Sequence, residues 1–194
     1  MSARIGYADP PYPGQSAKHY GDHPDYAGEV DHRALLRRLD EEYDGWVLHT
    51  SSTALTSVLY WAQELGIGDY RVGAWVKPFA AFKRNVPVAY AWEPVLFRAV
   101  RKPVVSGRIV MRDWIGEPIT MHRGLAGAKP EAVCRWAFEI VGAQQGDTLD
   151  DLFPGTGAVT RAWRAWCSET RIDDTPDGEH PDLFAEVAAI TGKE

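Results

Sequence analysis

Strand-like and helix-like stretches alternate along the first half of this 194-residue chain, and that alternation limits the fold more than any other feature. Residues Arg4 to Ala8 read as a short strand. Asp31 caps a helix through about Tyr43, with Leu35, Leu36 and Leu39 on one face and charges on the other. Gly45 to Thr50 is a second strand. A helix from Thr53 to about Gly66 carries Leu55, Val58, Leu59 and Ala62, and Arg71 to Val76 is a third strand. Trp92 to Arg98 adds a fourth, and Pro130 opens an amphipathic helix through Val141. The strand Thr148 to Phe153 then runs into a helix from Gly157 to Trp166. Strands separated by helices of this length build a mostly parallel sheet covered on both faces, a three-layer Rossmann-like α/β fold of reduced size. Val104-Val105 and Ile109-Val110-Met111 read as short strand pieces.

Ligands of such sheets sit beyond the carboxyl ends of the strands. Two turns fall there. Asp9-Pro10-Pro11-Tyr12 follows the first predicted strand. Two prolines fix φ and remove two backbone donors, so carbonyl oxygens there act as acceptors without competing N–H groups. Asp9 adds a carboxylate and Tyr12 a flat ring, a combination suited to an exocyclic amine on a stacked heterocycle. A turn that merely ends a strand is the alternative. The second turn, Leu152-Phe153-Pro154-Gly155-Thr156-Gly157, follows the last predicted strand and opens a helix. Its glycines allow close backbone approach, and the helix N-terminus presents free N–H groups, as nucleotide sites require. Ala158, Val159 and Thr160 follow, so it is neither a P-loop nor a full dinucleotide fingerprint.

Charge is unevenly spread. Between Arg71 and Arg112 lie nine basic residues against one acid, Glu93, a net +8 that leaves −14 for the rest of a chain of net −6. Such asymmetry predicts a cationic face for a polyanion, with a solvated basic loop as the alternative. Cys134 and Cys167 lack metal-ligand spacing and read as buried small residues in a reducing compartment. His49 and His122 read as structural, and His19, Tyr20 and His23 as a polar loop. No apolar run approaches the ~20 residues of a membrane helix, and the opening residues enter a strand at once. We therefore expect no signal peptide, no membrane partner and a cytoplasmic protein.

The two turns, with Ala128-Lys129-Pro130-Glu131 ahead of an amphipathic helix, carry a resemblance. The chain resembles the S-adenosylmethionine-dependent amino-methyltransferases acting on adenine N6 and cytosine N4 of nucleic acids. Asp9-Pro10-Pro11-Tyr12 matches their [Asp/Asn/Ser]-Pro-Pro-[Tyr/Phe/Trp] motif in the Asp form typical of adenine-N6 enzymes. Asp151 through Gly157 is similar to their Asp-Pro-Phe-x-Gly-x-Gly motif, with Leu152 and Pro154 as departures, and Lys129-Pro130 to their Gln-Lys-Pro helix. The order, catalytic motif first and cofactor motif last, is that of the permuted, beta-like branch.

The resemblance implies methyl transfer to adenine N6 in DNA, with cytosine N4, RNA, a free nucleotide or a non-catalytic binding module as alternatives. It implies catalytic roles for Asp9, Pro10, Pro11 and Tyr12, and S-adenosylmethionine contacts from Ala8, Asp9, Lys129, Pro130, Asp150, Asp151, Leu152, Phe153, Pro154, Gly155, Thr156 and Gly157. Glu169 or Asp173 is expected to supply the carboxylate for the cofactor ribose. The cationic face is expected to use Lys77, Lys83, Arg84, Arg98, Arg101 and Lys102, and no metal is expected. The methyltransferase domain is expected over residues 1–167, with 79–125 as a substrate-facing insertion. Residues 168–194 are expected to form an acidic linker and a docked helix from Pro181.

Overall fold

The computed structural model describes residues 2–13, 28–78, 86–102, 111–119 and 128–169. Six strands and four helices follow in the order β1 (Arg4–Ala8), α1 (His32–Glu42), β2 (Gly45–His49), α2 (Leu55–Glu64), β3 (Arg71–Val76), β4 (Trp92–Arg98), β5 (Trp114–Gly116), α3 (Glu131–Ile140), β6 (Thr148–Asp151) and α4 (Ala158–Ser168). They form one sheet in the order β5-β3-β4-β2-β1-β6. β1 pairs in parallel with β2 and β6, and β3 with β5, whereas β4 runs antiparallel to both its neighbours. The reversal has a local cause. The two strands meet at their ends, with Val76 opposite Trp92 and the Lys77 N–H donating to the Ala91 carbonyl at 2.7 Å, so β4 returns alongside β3.

The sheet is covered on both faces, as the strand–helix rhythm predicted. α1 and α2 place Leu36, Leu39, Val58 and Ala62 on Trp46, Leu48 and Leu96. α3 and α4 place Trp136, Phe138, Val159 and Trp166 on Ile5, Tyr7, Val47 and Phe97. β2 is buried along its whole length, so alternate residues serve opposite cores. Gly6 lets α1 approach closely: a Cβ there would lie 2.9 Å from Leu39 and Tyr43 side-chain atoms. Asp31 caps α1 as expected, its Oδ1 accepting from the Ala34 N–H at 2.9 Å.

The strand expected at Val104–Met111 is corrected in part. Residues 104–110 lie outside the described residues, Met111 is not in a strand, and the edge strand is Trp114–Gly116. Only three residues long and ending in glycine, it carries no readable alternation. The linker, the helix from Pro181, and His19, Tyr20, His23 and His122 also lie outside the described residues. No helix among the described residues is long and apolar enough to cross a membrane.

Candidate active site

Parallel pairing of the first and last strands brings the two turns together. Tyr7 stands opposite Asp151, and the ladder gains one further step where the Leu152 N–H donates to the Tyr7 carbonyl at 2.9 Å. Asp9-Pro10-Pro11-Tyr12 and Leu152–Gly157 therefore leave neighbouring strands at the same end of the sheet. Pro10 is buried and Pro11 half-buried. The Pro11 carbonyl accepts from His32 Nε2 at 3.1 Å, which ties the proline turn to the first residue of α1. The His32 ring stacks on Trp61 and is buried, which pushes its pKa below the usual imidazole range against the pull of the Pro11 hydrogen bond.

The glycine turn is shaped by positive φ at Gly155 (43°) and Gly157 (71°), values an L side chain adopts only with strain. Gly157 stands at the N-cap of α4 without a side-chain cap, and its N–H donates to the Pro154 carbonyl at 2.6 Å. Asp151 Oδ2 accepts from the Thr160 hydroxyl at 2.9 Å, and its Oδ1 is buried without a partner among the described residues. Burial raises the Asp151 pKa, partly offset by the Thr160 hydroxyl and by the backbone N–H groups of Phe153 and Thr160. Asp150 points to the opposite face, where Arg4 Nη2 (2.5 Å) and the Tyr43 hydroxyl (3.1 Å) hold it. Of the two aspartates expected among the cofactor contacts, alternation along β6 places Asp151 on the face of α4 and Asp150 on the other.

Beside Asp9 lies a buried charge cluster that the motifs did not announce. The Lys129 ammonium sits between Asp9 Oδ1 (3.0 Å) and Glu93 Oε1 (2.6 Å). Glu93 also accepts from His49 Nδ1 (2.8 Å) on Oε1 and from Lys77 (3.0 Å) on Oε2. His49 Nε2 lies 2.7 Å from the Tyr7 hydroxyl. Because a carboxylate only accepts, Nδ1 carries the proton toward Glu93, and Nε2 then accepts from the Tyr7 O–H. Burial, with Cys134, Asp9 and Glu93 adding to it, holds the Tyr7 pKa well above the phenol range, so that proton stays in place.

Glu93 is 3% exposed, Lys129 9% and His49 0%. Burial alone would raise the Glu93 pKa; the charge of Lys129, the hydrogen bond from His49 and the charge of Lys77 overcome it and hold Glu93 well below the carboxylate range. Burial likewise opposes the charge on Lys129, but Asp9 and Glu93 keep its pKa above the ordinary lysine value. Lys129, expected among the cofactor contacts, bridges two carboxylates here. Asp9, His49 and Glu93 hold ligand atoms within 4.8 Å of one another, a spacing that a metal ion also accepts. The cation lying between Asp9 and Glu93 is the Lys129 ammonium. Burial pushes the nearby Cys134 thiol up to about 12, so no thiolate nucleophile is available there at neutral pH.

Of the basic residues expected to form one cationic face, Lys77, Arg98, Arg101 and Lys102 are described. Lys77 is engaged by Glu93 and lies over the Trp75 ring, 4.4 Å from its centroid. Arg98 pairs with Asp40 and donates to the Tyr43 carbonyl at 2.7 Å, while Arg101 pairs with Asp147 at 2.6 Å and donates to the Gly142 carbonyl at 2.8 Å. Arg98 stands opposite Trp46 near the start of β2, and Asp147 precedes β6, so both arginines lie at the end of the sheet away from Asp9. Lys102 is exposed beside Arg101. Lys83 and Arg84 lie outside the described residues. Glu169, a candidate for the cofactor ribose, pairs with Arg135 at the far end of α4, about 16 Å along the helix from the glycine turn. Asp173 lies outside the described residues. Trp75 is buried and donates to the Glu117 carbonyl, whereas Trp92 is 41% exposed at the Asp9 end of the sheet.

The residues missed by the motif reading are Tyr7, His32, His49 and Glu93. One signal was present: Glu93 is the lone acid in the basic segment and precedes the apolar run Val95-Leu96-Phe97.

No protein-family model matches the sequence, and no curated protein is significantly similar to it. Among solved structures, the chain is similar to the M1.HpyAVI–SAM complex with a TM-score of 0.56 at 15% identity, covering 85% of this chain and 79% of that one. It is similar to a second M1.HpyAVI structure with a TM-score of 0.56 at 12% identity, covering 86% and 77%. The chain has the fold of M1.HpyAVI, a protein crystallised with S-adenosylmethionine, and the fold implied by the motif resemblance is the one observed.

Proposed function

We propose that this protein transfers a methyl group from S-adenosylmethionine to the exocyclic N6 amine of adenine in DNA. The observation that carries the reading is the adjacency of the Asp9 turn and the Gly155–Gly157 turn at the carboxyl ends of β1 and β6. The similarity to a protein crystallised with SAM supports the cofactor.

The residues at the glycine turn suit such a group. Asp151 Oδ1 is a buried acceptor with no partner among the described residues. A Cβ at Gly155 would meet only the Phe153 carbonyl, at 3.8 Å, so the turn is open for close approach. The N-cap of α4 is a glycine without a side-chain cap, and in the first turn the Thr160 N–H turns to the Asp151 carboxylate. Ala8, Asp151, Leu152, Phe153, Pro154, Gly155, Thr156 and Gly157 would hold the cofactor, with Pro130 at the N-cap of α3 nearby in the fold. When bound, the cofactor supplies an electrophilic methyl group.

The amine of adenine is a poor nucleophile because its lone pair is delocalised into the ring. Asp9 and the Pro10 carbonyl accept its two N–H bonds, shifting the nitrogen toward a tetrahedral form and stabilising the positive charge that grows on it. The Pro11 carbonyl is already taken by His32, so its role is to fix the turn. Holding the amine against the reacting carbon supplies much of the remaining rate. Tyr12, half-buried after the prolines, stacks on the extruded base.

The test is transfer of radiolabelled methyl groups to DNA, RNA and nucleosides, followed by nucleoside mass spectrometry. N6-methyladenine in DNA is expected. Label in cytosine N4 or in RNA would keep the chemistry and replace the substrate. Cofactor binding without transfer to any acceptor would leave only a binding module. Reversal of Lys83 and Arg84 to Glu is expected to weaken DNA binding and to reduce the slope of log K against log salt by about two. Unchanged binding and slope would remove these side chains from the DNA contact.

A further inference from the structure

We infer that Glu93 is a positioning residue for Asp9, acting through Lys129 and keeping the amine-binding end of the site electrically neutral. The inference rests on the reading that Asp9 accepts the amine, and it adds residues that no motif of the resemblance contains.

The geometry carries it. Lys129 reaches Asp9 Oδ1 and Glu93 Oε1 at once, so the ammonium is shared by two carboxylates rather than given wholly to Asp9. Glu93 cannot drift toward the amine. Its Oε1 is also held by His49, itself fixed by the Tyr7 hydroxyl, and its Oε2 is held by Lys77. Five elements thus converge on one carboxylate: β1 through Tyr7, β2 through His49, β4 through Glu93 itself, the segment after β3 through Lys77, and the segment before α3 through Lys129. A buried ion cluster of this kind is not needed for packing, since replacing the whole set by apolar side chains of similar volume is often neutral or stabilising. Its retention calls for another reason.

Counting charges supplies that reason. Asp9 and Glu93 balance Lys77 and Lys129, and the remaining titratable groups that face the cluster are Tyr7, His49, Cys134 and Asp151. Without Glu93, the two lysines would leave a net positive charge against a nitrogen that becomes positive in the transition state. Lys129 would then pair with Asp9 alone and weaken it as an acceptor. Both effects act on the transition state more than on binding, so kcat should fall and KM should change little.

Glu93→Gln keeps the shape and the acceptor oxygen but removes the charge. We expect kcat to fall about a hundredfold with KM within about threefold of the parent. The double variant Glu93→Gln/Lys77→Met removes one charge of each sign, restores neutrality and should recover at least about tenfold of the lost kcat. A double variant no faster than Glu93→Gln, or a Glu93→Gln protein with parental kcat, overturns the inference. If Glu93→Gln does not fold by circular dichroism, the double variant decides, and a kcat more than about tenfold below the parent overturns it.

A readout independent of turnover separates this inference from the function. 15N NMR of the Lys129 Nζ should show its titration moved to lower pH in Glu93→Gln, and an unmoved titration overturns the coupling. If the parent protein transfers no methyl group while that titration moves, the proposed function fails and the coupling stands.

Discussion

Asp9→Ala is expected to lower kcat for methyl transfer by about a thousandfold or more while leaving the affinity for S-adenosylmethionine within about threefold. The asymmetry follows from where the two halves of the site are built. In the proposed reading the cofactor is held by the Asp151 carboxylate, the positive-φ glycines and the start of α4, and no hydrogen bond joins these to the Asp9 side chain among the described residues. The proposed amine acceptor is Asp9 itself, at the edge of the cluster and half-buried. Removing it takes one of two carboxylates from Lys129, but Glu93 remains at 2.6 Å, so the buried ammonium is still paired and the fold should persist. Calorimetric titration of the cofactor and single-turnover transfer measure the two quantities separately. Parental turnover in the variant would remove Asp9 from the chemistry. A large loss of cofactor affinity would instead move Asp9 into the cofactor site.

Much of this architecture was legible because the early elements are periodic. α1 and β1 to β4 fall where their apolar patterns place them, and the Asp31 cap is visible from residue type alone. Strand direction was not legible. Nothing in Trp92–Arg98 marks it as antiparallel; the direction shows only in its pairing with β3 and β2. The two turns could be paired through the rule that ligands gather at the carboxyl ends of strands, and the Tyr7–Asp151 register now gives that pairing a hydrogen bond.

The charge cluster stayed hidden for a different reason. Tyr7, His49, Lys77, Glu93 and Lys129 come from five separate stretches, so no local spacing joins them. The same limit applies to the count of basic residues. A charge count over residues 71–112 cannot see Asp40 or Asp147, which lie outside that window and neutralise Arg98 and Arg101. Charge runs report composition; only the fold reports which charges remain for a partner.

Lys129→Met should be the most destabilising substitution in the cluster, by about 3–5 kcal/mol near neutral pH. For a domain of this size, that lowers Tm by roughly 6–20 °C. The ammonium is nearly enclosed and is the only group that touches both Asp9 and Glu93 among the described residues. Methionine fills its volume but leaves Glu93 held by His49 and Lys77 alone, in a place where burial opposes its charge.

The pH dependence has a definite sign. In the parent, Glu93 is held well below its unfolded value of about 4.5, so its contribution is present above that pH and is lost as pH falls toward the folded value. Removing Lys129 removes the largest influence that lowers it, so the variant has less to lose on acidification. The stability gap should therefore narrow by roughly 1 kcal/mol between pH 7 and about pH 3.5, as read from urea denaturation curves. The Lys129 contribution itself, from a group raised above its ordinary value, is constant across that window because it is lost only at strongly alkaline pH. A gap that stays constant or widens on acidification would show that Lys129 does not hold the Glu93 charge. The bridge to Asp9 would then have to be explained by packing alone.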